Sequence, residues 1–282
     1  MQTTLECIPC ILRQSLEAAR NVSDDAAIHE MVMKKALTLA AEMDLRQSPP
    51  EMTQYIHRHL RNIIGDDDPY REAKQKMNRL ALAMLPSLRE KIANSPDPIF
   101  TATRLSIAGN VIDFGVNGNL DESDVILAME QTFQESFFGE YERFKLAVQQ
   151  AQSILYLTDN AGEIAFDRLL IEQILPKEIT VVVRGAPVIN DNTYLDAQAV
   201  GLDSLVKVID NGSDAPGTIL KDCSEHFLSH YQKADLIIAK GQGNYESLNQ
   251  EKGNLWFLFR VKCPVVARLT RQPMNTHMLI HG

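Results

Sequence analysis

An acidic residue and an amide residue stand side by side in this chain, at Asp159 and Asn160. The apolar run at residues 153–157 predicts a buried strand immediately before them, and residues 164–171 predict a helix immediately after them. In open α/β sheets, ligands bind outside the carboxyl ends of the strands. Carboxylate and carbonyl oxygens are the ligands that Mg²⁺ and Mn²⁺ prefer. The pair therefore predicts a divalent-cation site, although one such residue would also serve as an ordinary helix cap.

Three more polar or glycine-rich turns follow the next predicted strands, at residues 184–193, 210–213 and 240–246. In a parallel sheet the carboxyl ends of neighbouring strands lie at one edge, so all four turns are expected to open on the same side. Each turn alone is a weak signal. The expected position of all four turns at one edge of the sheet is what predicts a ligand-binding site there.

The predicted cation site takes Asp191 from the second turn as its third ligand. Mg²⁺ ordinarily binds one or two carboxylates and leaves its other positions to water and phosphate. Asp159, Asn160 and Asp191 would therefore leave positions open for a substrate oxygen. Asp191 has an ordinary alternative role, as a helix cap just before Thr193.

Basic and glycine residues in the same turns predict an anion site beside the cation. Arg184 and Lys240 could neutralise a phosphate or a carboxylate, although each has an ordinary alternative in a surface salt bridge. The backbone N–H groups of the turn from Gly241 to Gly243 could surround anionic oxygens. Acids for a cation, bases for an anion and glycines for close approach together predict metal-assisted phosphoryl chemistry.

Other motifs in the sequence are weaker. Gly241-x-Gly243 follows a predicted strand but has Glu246 where a dinucleotide fingerprint has its third glycine. The sequence contains no Walker A motif. Cys7-x-x-Cys10 has no second CxxC or well-spaced histidine pair to complete a zinc site, so it is either a pair of packing thiols or a metal or redox group.

Composition excludes several classes of protein. The chain has 282 residues, 45% of them hydrophobic, and a net charge of −9, which argues against a general nucleic-acid or anionic-membrane surface. No apolar run reaches the roughly 18 residues that a membrane span needs. Four cysteines do not make a disulfide scaffold in a chain of this length, and no secretory signal is recognisable. We expect a cytoplasmic protein without a nucleic-acid or membrane partner.

The pattern of elements predicts an α/β fold. Residues 1–98 carry helical periodicity almost throughout, and from about residue 153 strand-like runs alternate with helical ones. The alternation predicts a Rossmann-like, mostly parallel sheet flanked by helices. We therefore expect a helical domain at residues 1–98 and an α/β metal- and substrate-binding domain at 99–282, with a helical segment at about 120–150. Predicted strands lie at 154–157, 180–183, 205–209, 236–239 and within 255–266, and predicted helices of this part at 124–150, 164–175, 194–200 and 218–231.

Six motifs occur in a fixed order and span nearly the whole chain. They are Cys7-x-x-Cys10, Gly109-Asn110-x-x-Asp113, residues 158–163, Arg184 through Pro187 to Asp191-x-Thr193, Lys240-Gly241-x-Gly243-Asn244-x-Glu246, and Lys262-Cys263-Pro264. In this order they resemble the metal-dependent damage-control phosphatases, a family long filed as a domain of unknown function. The CxxC resembles the prokaryotic branch of that family.

The resemblance implies a function and a set of site residues. It implies a divalent cation, Mg²⁺, Mn²⁺, Co²⁺ or Ni²⁺, bound by Asp159, Asn160 and Asp191. It implies hydrolysis of phosphomonoesters of small metabolites, including sugar phosphates and damaged phosphometabolites. It also implies that Lys240 lies near the substrate phosphate. Our own hypothesis is that Arg184 and Lys240 stabilise charge on the transferring group.

The remaining candidate residues are expected to bind or surround the substrate. Asn110 and Asp113 would reach the cleft from the junction of the two domains. Gly241, Gly243 and Asn244 would contact the substrate through the fourth turn. Glu163 either supports the metal ligands from behind or is an acid favoured by the helix dipole in the first turn.

Two mechanisms and two other functions are compatible with these residues. The attacking group is either water or an aspartate, Asp159 or Asp191, that forms a phospho-aspartate. A carboxyl methyltransferase that uses S-adenosylmethionine is an alternative function, since the glycine turn and an acidic turn at Asp210 could bind that cofactor. A non-catalytic metabolite-binding protein is the other alternative.

Overall fold

The computed structural model describes residues 1–109, 131 and 133–282. The predicted site residues Asn110 and Asp113 lie outside these described residues. The chain begins with a helical region, as predicted from its periodicity. Its elements are α1 (Cys7–Val22), α2 (Ala26–Glu42), α3 (Pro49–Ile64), α4 (Arg71–Ala93) and α5 (Pro98–Ala108).

An α/β part follows, in which strands alternate with helices. Its strands are β1 (Phe137–Gly139), β2 (Ser153–Leu157), β3 (Glu178–Val183), β4 (Lys207–Asp210), β5 (Leu236–Lys240), β6 (Leu255–Arg260) and β7 (His277–His281). Its helices are α6 (Tyr141–Gln150), α7 (Glu163–Ile174), α8 (Tyr194–Ala199), α9 (Glu225–Lys233), α10 (Gly241–Leu248) and α11 (Pro264–Thr270), with a 3₁₀ turn at Leu220–Asp222.

Within the described residues the strands form one seven-stranded sheet, in the order β1-β7-β6-β5-β2-β3-β4. Strands β6, β5, β2, β3 and β4 are parallel to their neighbours in this run. Strand β7 is antiparallel to β6, and β1 is parallel to β7. The predicted fold class, a mostly parallel sheet flanked by helices after a helical N-terminal region, is confirmed.

The sequence did not predict the two strands at one edge of the sheet. Residues 137–139 form β1 within the stretch predicted as one helix, and α6 begins only at Tyr141. A three-residue strand depends on its pairing with β7, about 140 residues later, which a local pattern cannot show. The predicted helix at 218–231 is also shorter, because Ser224 caps α9 by accepting a hydrogen bond from the Phe227 N–H.

The two faces of the sheet pack into two hydrophobic clusters. Successive side chains of a strand point to opposite faces. Ile154 and Tyr156 of β2 accordingly pack with the interior of α4, α5 and α7, and Leu155 and Leu157 pack in the other cluster. The predicted boundary between two domains at residue 98 stays a prediction. Helices α4 and α5 on either side of it share one core with the sheet.

Helix α3 is attached to the loop after β4 by charged hydrogen bonds. The Asp214 carboxylate accepts a hydrogen bond from Gln54 Nε2 at 2.6 Å and from Arg58 Nε at 2.9 Å, and it also pairs with Arg61. Arg61 Nη1 in turn donates to the Pro187 carbonyl at 2.7 Å. This network holds α3 against two loops at the carboxyl edge of the sheet. No helix of the described residues is long and apolar enough to cross a membrane.

Replacing Asp214 with alanine is predicted to destabilise the fold. Asp214 is 8% exposed, so its loss leaves Gln54 and two arginines without their shared acceptor. We expect a fall of about 3 kcal/mol in the free energy of unfolding, measured by denaturant titration. Asp203→Ala, at an exposed position, is the control and should change it by less than about 0.5 kcal/mol. If the two substitutions lowered the free energy of unfolding equally, the role of Asp214 in holding α3 against the loop after β4 would be contradicted.

Candidate active site

The site lies where the order of the sheet reverses. Strand β2 is the first of the five parallel strands along the chain, but it lies in the middle of them in the sheet. Strands β3 and β4 lie on one side of β2, and β5 pairs with it on the other side. In open α/β sheets such a switch point opens a crevice outside the carboxyl ends of the strands. The turn after β2, with Asp159 and Asn160, and the turn after β5, beginning at Gly241, border this crevice.

Backbone hydrogen bonds join the turn after β2 to the loop after β3. The Asn192 N–H donates to the Asp159 carbonyl at 3.0 Å, and the Ala161 N–H donates to the Asn190 carbonyl at 2.9 Å. Asn160 and Asp191 form an isolated antiparallel bridge. The three predicted metal ligands are therefore brought together by main-chain contacts.

The side chains of Asp159, Asn160 and Asp191 line one cavity. Asn160 Nδ2 donates to Asp159 Oδ2 at 2.9 Å, and Arg184 Nε donates to Asp191 Oδ2 at 2.7 Å. The other oxygens, Asn160 Oδ1 and Asp191 Oδ1, accept no hydrogen bond from any described residue. These oxygens are available to a ligand in the cavity.

The cavity has a volume of about 880 Å³ and is walled by both parts of the chain. Helix α1 contributes Cys7, Cys10 and Arg13, and α3 contributes Pro49, Pro50 and Thr53. The α/β part adds Gln242, Gly243, Glu246, Lys262 and Cys263 beside the candidate ligands. The cavity is large enough for a small phosphorylated metabolite.

Gly241 allows the close approach of the two turns. Its φ is +80°, and a Cβ atom there would lie 2.0 Å from Asp159 Oδ2. An L side chain would meet both a strained backbone and the carboxylate. The turn after β5 therefore requires glycine in order to pack against Asp159.

Burial and like charges set the electrostatics of the site. Burial and the neighbouring carboxylates of Glu163 and Asp191 raise the pKa of Asp159 well above its ordinary value. Burial also raises the pKa of Asp191, although the Arg184 guanidinium opposes the shift. A cation beside these carboxylates would relieve both effects.

Lys240 is completely buried, so the structure places it away from the cavity. Its ammonium donates to the Ser106 carbonyl at 2.9 Å, to Glu163 Oε1 at 2.7 Å and to Asp167 Oδ1 at 2.6 Å. Burial lowers the pKa of Lys240, but the carboxylates of Asp167 and Glu163 outweigh it, and the net shift is upward. Direct contact between Lys240 and a substrate phosphate stays a prediction, and it would require these bonds to break.

Arg184 is also buried, under the candidate ligands. Besides Asp191, its guanidinium contacts Asn244 Oδ1 at 3.3 Å, and its Nη2 lies 3.8 Å from Asp159 Oδ1. Asn244 Nδ2 donates to the carbonyls of Thr158 at 3.1 Å and Lys240 at 2.7 Å. Arg184 and Asn244 thus tie the ends of three strands together, and their predicted contacts with substrate stay predictions.

The other predicted residues divide between the cavity and the interior. Gly243 lines the cavity, whereas Gly241 packs against Asp159. Glu163 is 3% exposed and lies behind Asn160, whose Nδ2 donates to Glu163 Oε2 at 3.3 Å.

Sequence reasoning gave no role to two ionisable residues of the cavity wall. Lys262 is exposed, and no described side chain pairs with it in an ion pair; its charge lowers the pKa values of Asp159 and Asp191. Glu246 is 9% exposed, and burial raises its pKa to about 7. Lys262 could have been found, because it follows β6 at the same edge as the other turns.

The donor set of the candidate ligands fits a hard divalent cation. Two carboxylates and one amide oxygen are the number and kind of protein ligands that Mg²⁺ typically accepts. Among residues 1–109, 131 and 133–282, no group of three or more His, Cys, Asp or Glu side chains is placed to hold a metal ion. A cation would therefore depend on the amide oxygen of Asn160 as well as on the two carboxylates.

Comparison with known proteins identifies the family of the chain. The model of the damage-control phosphatase ARMT1-like domain matches residues 3–278. The chain belongs to this family of phosphatases. The resemblance inferred from the six motifs is confirmed.

The chain is similar to three known proteins over most of its length. The chain is 35% identical over 271 residues to a damage-control phosphatase of Archaeoglobus fulgidus, covering 93% of each protein. It is 34% identical over 280 residues to a damage-control phosphatase of Pyrococcus horikoshii, covering 97% of this chain and 96% of that one. It is also 37% identical over 279 residues to an uncharacterized protein of Methanocaldococcus jannaschii, covering 93% and 90%.

A solved structure confirms the fold of the damage-control phosphatase family for this chain. The crystal structure of a DUF89 family protein from Pyrococcus horikoshii matches with a TM-score of 0.90 and 32% identity. The match covers 100% of this chain and 99% of that one.

Replacing Gly241 with alanine is predicted to damage the site beyond the cost of its backbone strain. The added Cβ would displace the Asp159 carboxylate. We therefore expect the free energy of unfolding to fall by about 1–3 kcal/mol more than the backbone strain alone would cause, and phosphatase turnover to fall at least tenfold. Gly65→Ala is the matched control, because Gly65 has a φ of +72° with nothing within 4 Å of the added Cβ. Gly65→Ala should lower the free energy of unfolding by about 1 kcal/mol and keep the wild-type turnover. Equal turnover in the two variants would contradict the packing argument.

Glu246 is predicted to make the stability depend on pH. Its folded pKa of about 7 lies above the ordinary 4.5, so its contribution to stability is present below about pH 4.5 and is lost as pH rises through 7. Glu246→Gln should therefore gain stability over the wild type between pH 5 and pH 8, by up to about 3 kcal/mol. Denaturant titration at several pH values measures this gain, with the exposed Glu251→Gln as control. If the stability gain of Glu246→Gln over the wild type did not change with pH, the raised pKa of Glu246 would be contradicted.

Proposed function

We propose that this protein is a metal-dependent phosphatase that hydrolyses phosphomonoesters of small metabolites. The observation that carries the proposal is the arrangement of Asp159, Asn160 and Asp191 around one cavity at the switch point of the sheet. Membership in the damage-control phosphatase family supports the reaction class. It also favours hydrolysis over the methyltransferase and binding-protein alternatives.

The proposed cation site uses the oxygens that the protein leaves available. Asn160 Oδ1, Asp191 Oδ1 and the Asp159 carboxylate would hold Mg²⁺, Mn²⁺, Co²⁺ or Ni²⁺. Such a cation supplies Lewis-acid stabilisation of negative charge on the phosphoryl oxygens. The upward pKa shifts of Asp159 and Asp191 support the assignment, because burial, and for Asp159 also the neighbouring carboxylates, disfavours their negative charges, which a cation would stabilise.

The charges around the ligands also match a divalent ion. Four buried carboxylates, Asp159, Glu163, Asp167 and Asp191, face two buried cations, Lys240 and Arg184. The cluster keeps an excess of two negative charges when all six groups are ionised. Neutralising this excess with one divalent cation would remove the cost of burying it.

Lys262 is the proposed binding residue for the substrate phosphate. Lys262 lines the cavity, and its charge acts on Asp159 and Asp191, so it is placed to attract a phosphate that enters the cavity. Lysine binds phosphate as a compact point charge. Lys262 would hold the phosphate against the ligand oxygens and stabilise its charge during transfer.

Water is the proposed attacking group. Both oxygens of Asp159 have protein contacts, with Asn160 at 2.9 Å and Arg184 at 3.8 Å, which favours a ligand that stays in place over a nucleophile. A phospho-aspartate on Asp159 is the rival route.

Divalent cations are predicted to restore activity to metal-stripped protein. We expect the purified protein to hydrolyse p-nitrophenyl phosphate only after addition of Mg²⁺, Mn²⁺, Co²⁺ or Ni²⁺. Asp191→Ala and Asp191→Asn should abolish this turnover; the asparagine variant keeps an acceptor for Arg184 and so preserves the fold. Asp203→Asn is the control and should keep wild-type turnover. No hydrolysis with any metal, or full activity in Asp191→Asn, would contradict the proposal.

Removing the charge of Lys262 is predicted to weaken substrate binding. Lys262→Met should raise the KM for p-nitrophenyl phosphate at least tenfold at saturating metal, because the phosphate loses its cationic partner in the cavity wall. Lys252→Met, which removes a lysine at an exposed position outside the cavity, should leave the KM within twofold of wild type. An unchanged KM in Lys262→Met would exclude Lys262 as the phosphate-binding residue.

A further inference from the structure

Lys240 belongs to a buried chain of contacts that ends at a candidate metal ligand. Its ammonium is 0% exposed and bonds Glu163 Oε1 at 2.7 Å. The other oxygen of that carboxylate accepts a hydrogen bond from Asn160 Nδ2 at 3.3 Å. Lys240 therefore acts on Asn160 through Glu163 and not on the cavity directly.

The chain of contacts determines which atom of the Asn160 amide faces the cavity. Both N–H bonds of Nδ2 are used on the protein side, one to Asp159 Oδ2 at 2.9 Å and one to Glu163 Oε2. A flipped amide would set its oxygen against two carboxylate oxygens, Asp159 Oδ2 and Glu163 Oε2, which would repel it. Oδ1 is thus kept as the atom available to a cation.

The secondary structure explains why Lys240 points inward. Alternation along β5 places Ile238 in the cluster under α4, α5 and α7, and Lys240 lies on the same face two residues later. Glu163 and Asp167 are four residues apart on α7, so both face the lysine. Tyr156 Oη donates to Asp167 Oδ1 at 2.9 Å, and the Ser106 carbonyl of α5 accepts the third ammonium hydrogen bond.

Lys240 and Glu163 are strongly constrained in this arrangement. Removing the lysine would leave two carboxylates buried without a cation, and Glu163 would lose the contact that fixes its position. The Asn160 amide would then lose its fixed orientation. Groups that hold a metal ligand in this way typically change metal affinity by 10–100-fold when they are mutated.

We propose that Lys240 is a positioning residue, whose buried ion pair with Glu163 keeps the Asn160 amide oxygen turned toward the cation, and that it makes no contact with the substrate phosphate. The inference rests on the proposed function, because it takes Asn160 Oδ1 as a metal ligand. It assigns metal affinity to Lys240 and phosphate affinity to Lys262.

The test measures the affinity for Mn²⁺ in the absence of substrate. The free ion is followed by electron paramagnetic resonance in titrations of wild type, Lys240→Met and Glu163→Gln. Both variants should bind Mn²⁺ at least tenfold more weakly, while their KM for p-nitrophenyl phosphate at saturating Mn²⁺ stays within twofold. Glu163→Gln retains the shape of the side chain, and it decides the question if Lys240→Met does not fold.

Asp167→Asn is the matched control. Asp167 bonds the same ammonium at 2.6 Å and is equally buried, but it does not contact Asn160. Asp167→Asn removes one negative charge from the cluster, as Glu163→Gln does, but it leaves the contact of Glu163 with Asn160 in place, so its Mn²⁺ affinity should stay at least threefold higher than that of Glu163→Gln. A loss as large as that of Glu163→Gln would overturn the inference, because it would show a general effect of disturbing the interior.

The other outcomes separate the inference from the proposed function. Wild-type Mn²⁺ affinity in Glu163→Gln would overturn the inference alone. A KM raised at least tenfold in Lys240→Met, with unchanged Mn²⁺ affinity, would also overturn it and restore direct phosphate contact. A wild-type protein that binds no Mn²⁺ would overturn the proposed function and the inference with it.

Discussion

The crowding of buried carboxylates at the carboxyl edge of the sheet is the constraint on which the rest of the structure depends. Asp159, Glu163, Asp167 and Asp191 are all less than one tenth exposed. Burying an ionised carboxylate is costly unless a cation and hydrogen bonds compensate it. Lys240 and Arg184 supply two positive charges, so the cluster keeps an excess of two negative charges, and two of its members, Asp159 and Asp191, line the cavity.

Much of the architecture can be understood as support for this cluster. The switch point brings the turns after β2 and β5 side by side, and Gly241 lets them meet at the Asp159 carboxylate. Helices α4 and α5 close the core over the face of the sheet on which the Lys240 side chain lies. The helical region also supplies part of the cavity wall, through α1 and α3.

The sequence predicted the ligand cluster better than it predicted the basic residues. Asp159, Asn160 and Asp191 could be placed together because the ends of parallel strands share one edge, and the structure brings them to one cavity. Their role as metal ligands stays a prediction. Lys240 was expected near the substrate phosphate, whereas it ends β5 with its side chain buried on the inner face of the sheet. Its partners on α7 depend on the packing of a helix against the sheet, which local patterns do not give.

The parts of the fold that the sequence missed depend on long-range pairing. Strand β7 is short and pairs with β6 and β1, so its stability comes from neighbours distant in sequence. Lys262 belongs to the sixth motif, but sequence reasoning gave it no role, and the position of β6 in the sheet is what brings it to the candidate ligands. The strong strand signals, by contrast, lie in the buried central strands, where apolar runs are almost continuous.

The most direct test of the central claim is anomalous diffraction from crystals soaked with Mn²⁺ and tungstate, an analogue of phosphate. We expect a manganese peak at coordination distance from oxygens of Asp159, Asn160 and Asp191. It also predicts a tungsten peak between that site and the Lys262 ammonium, with the bonds of Lys240 to Glu163 and Asp167 intact. Manganese bound elsewhere, or tungstate in contact with Lys240, would contradict the account.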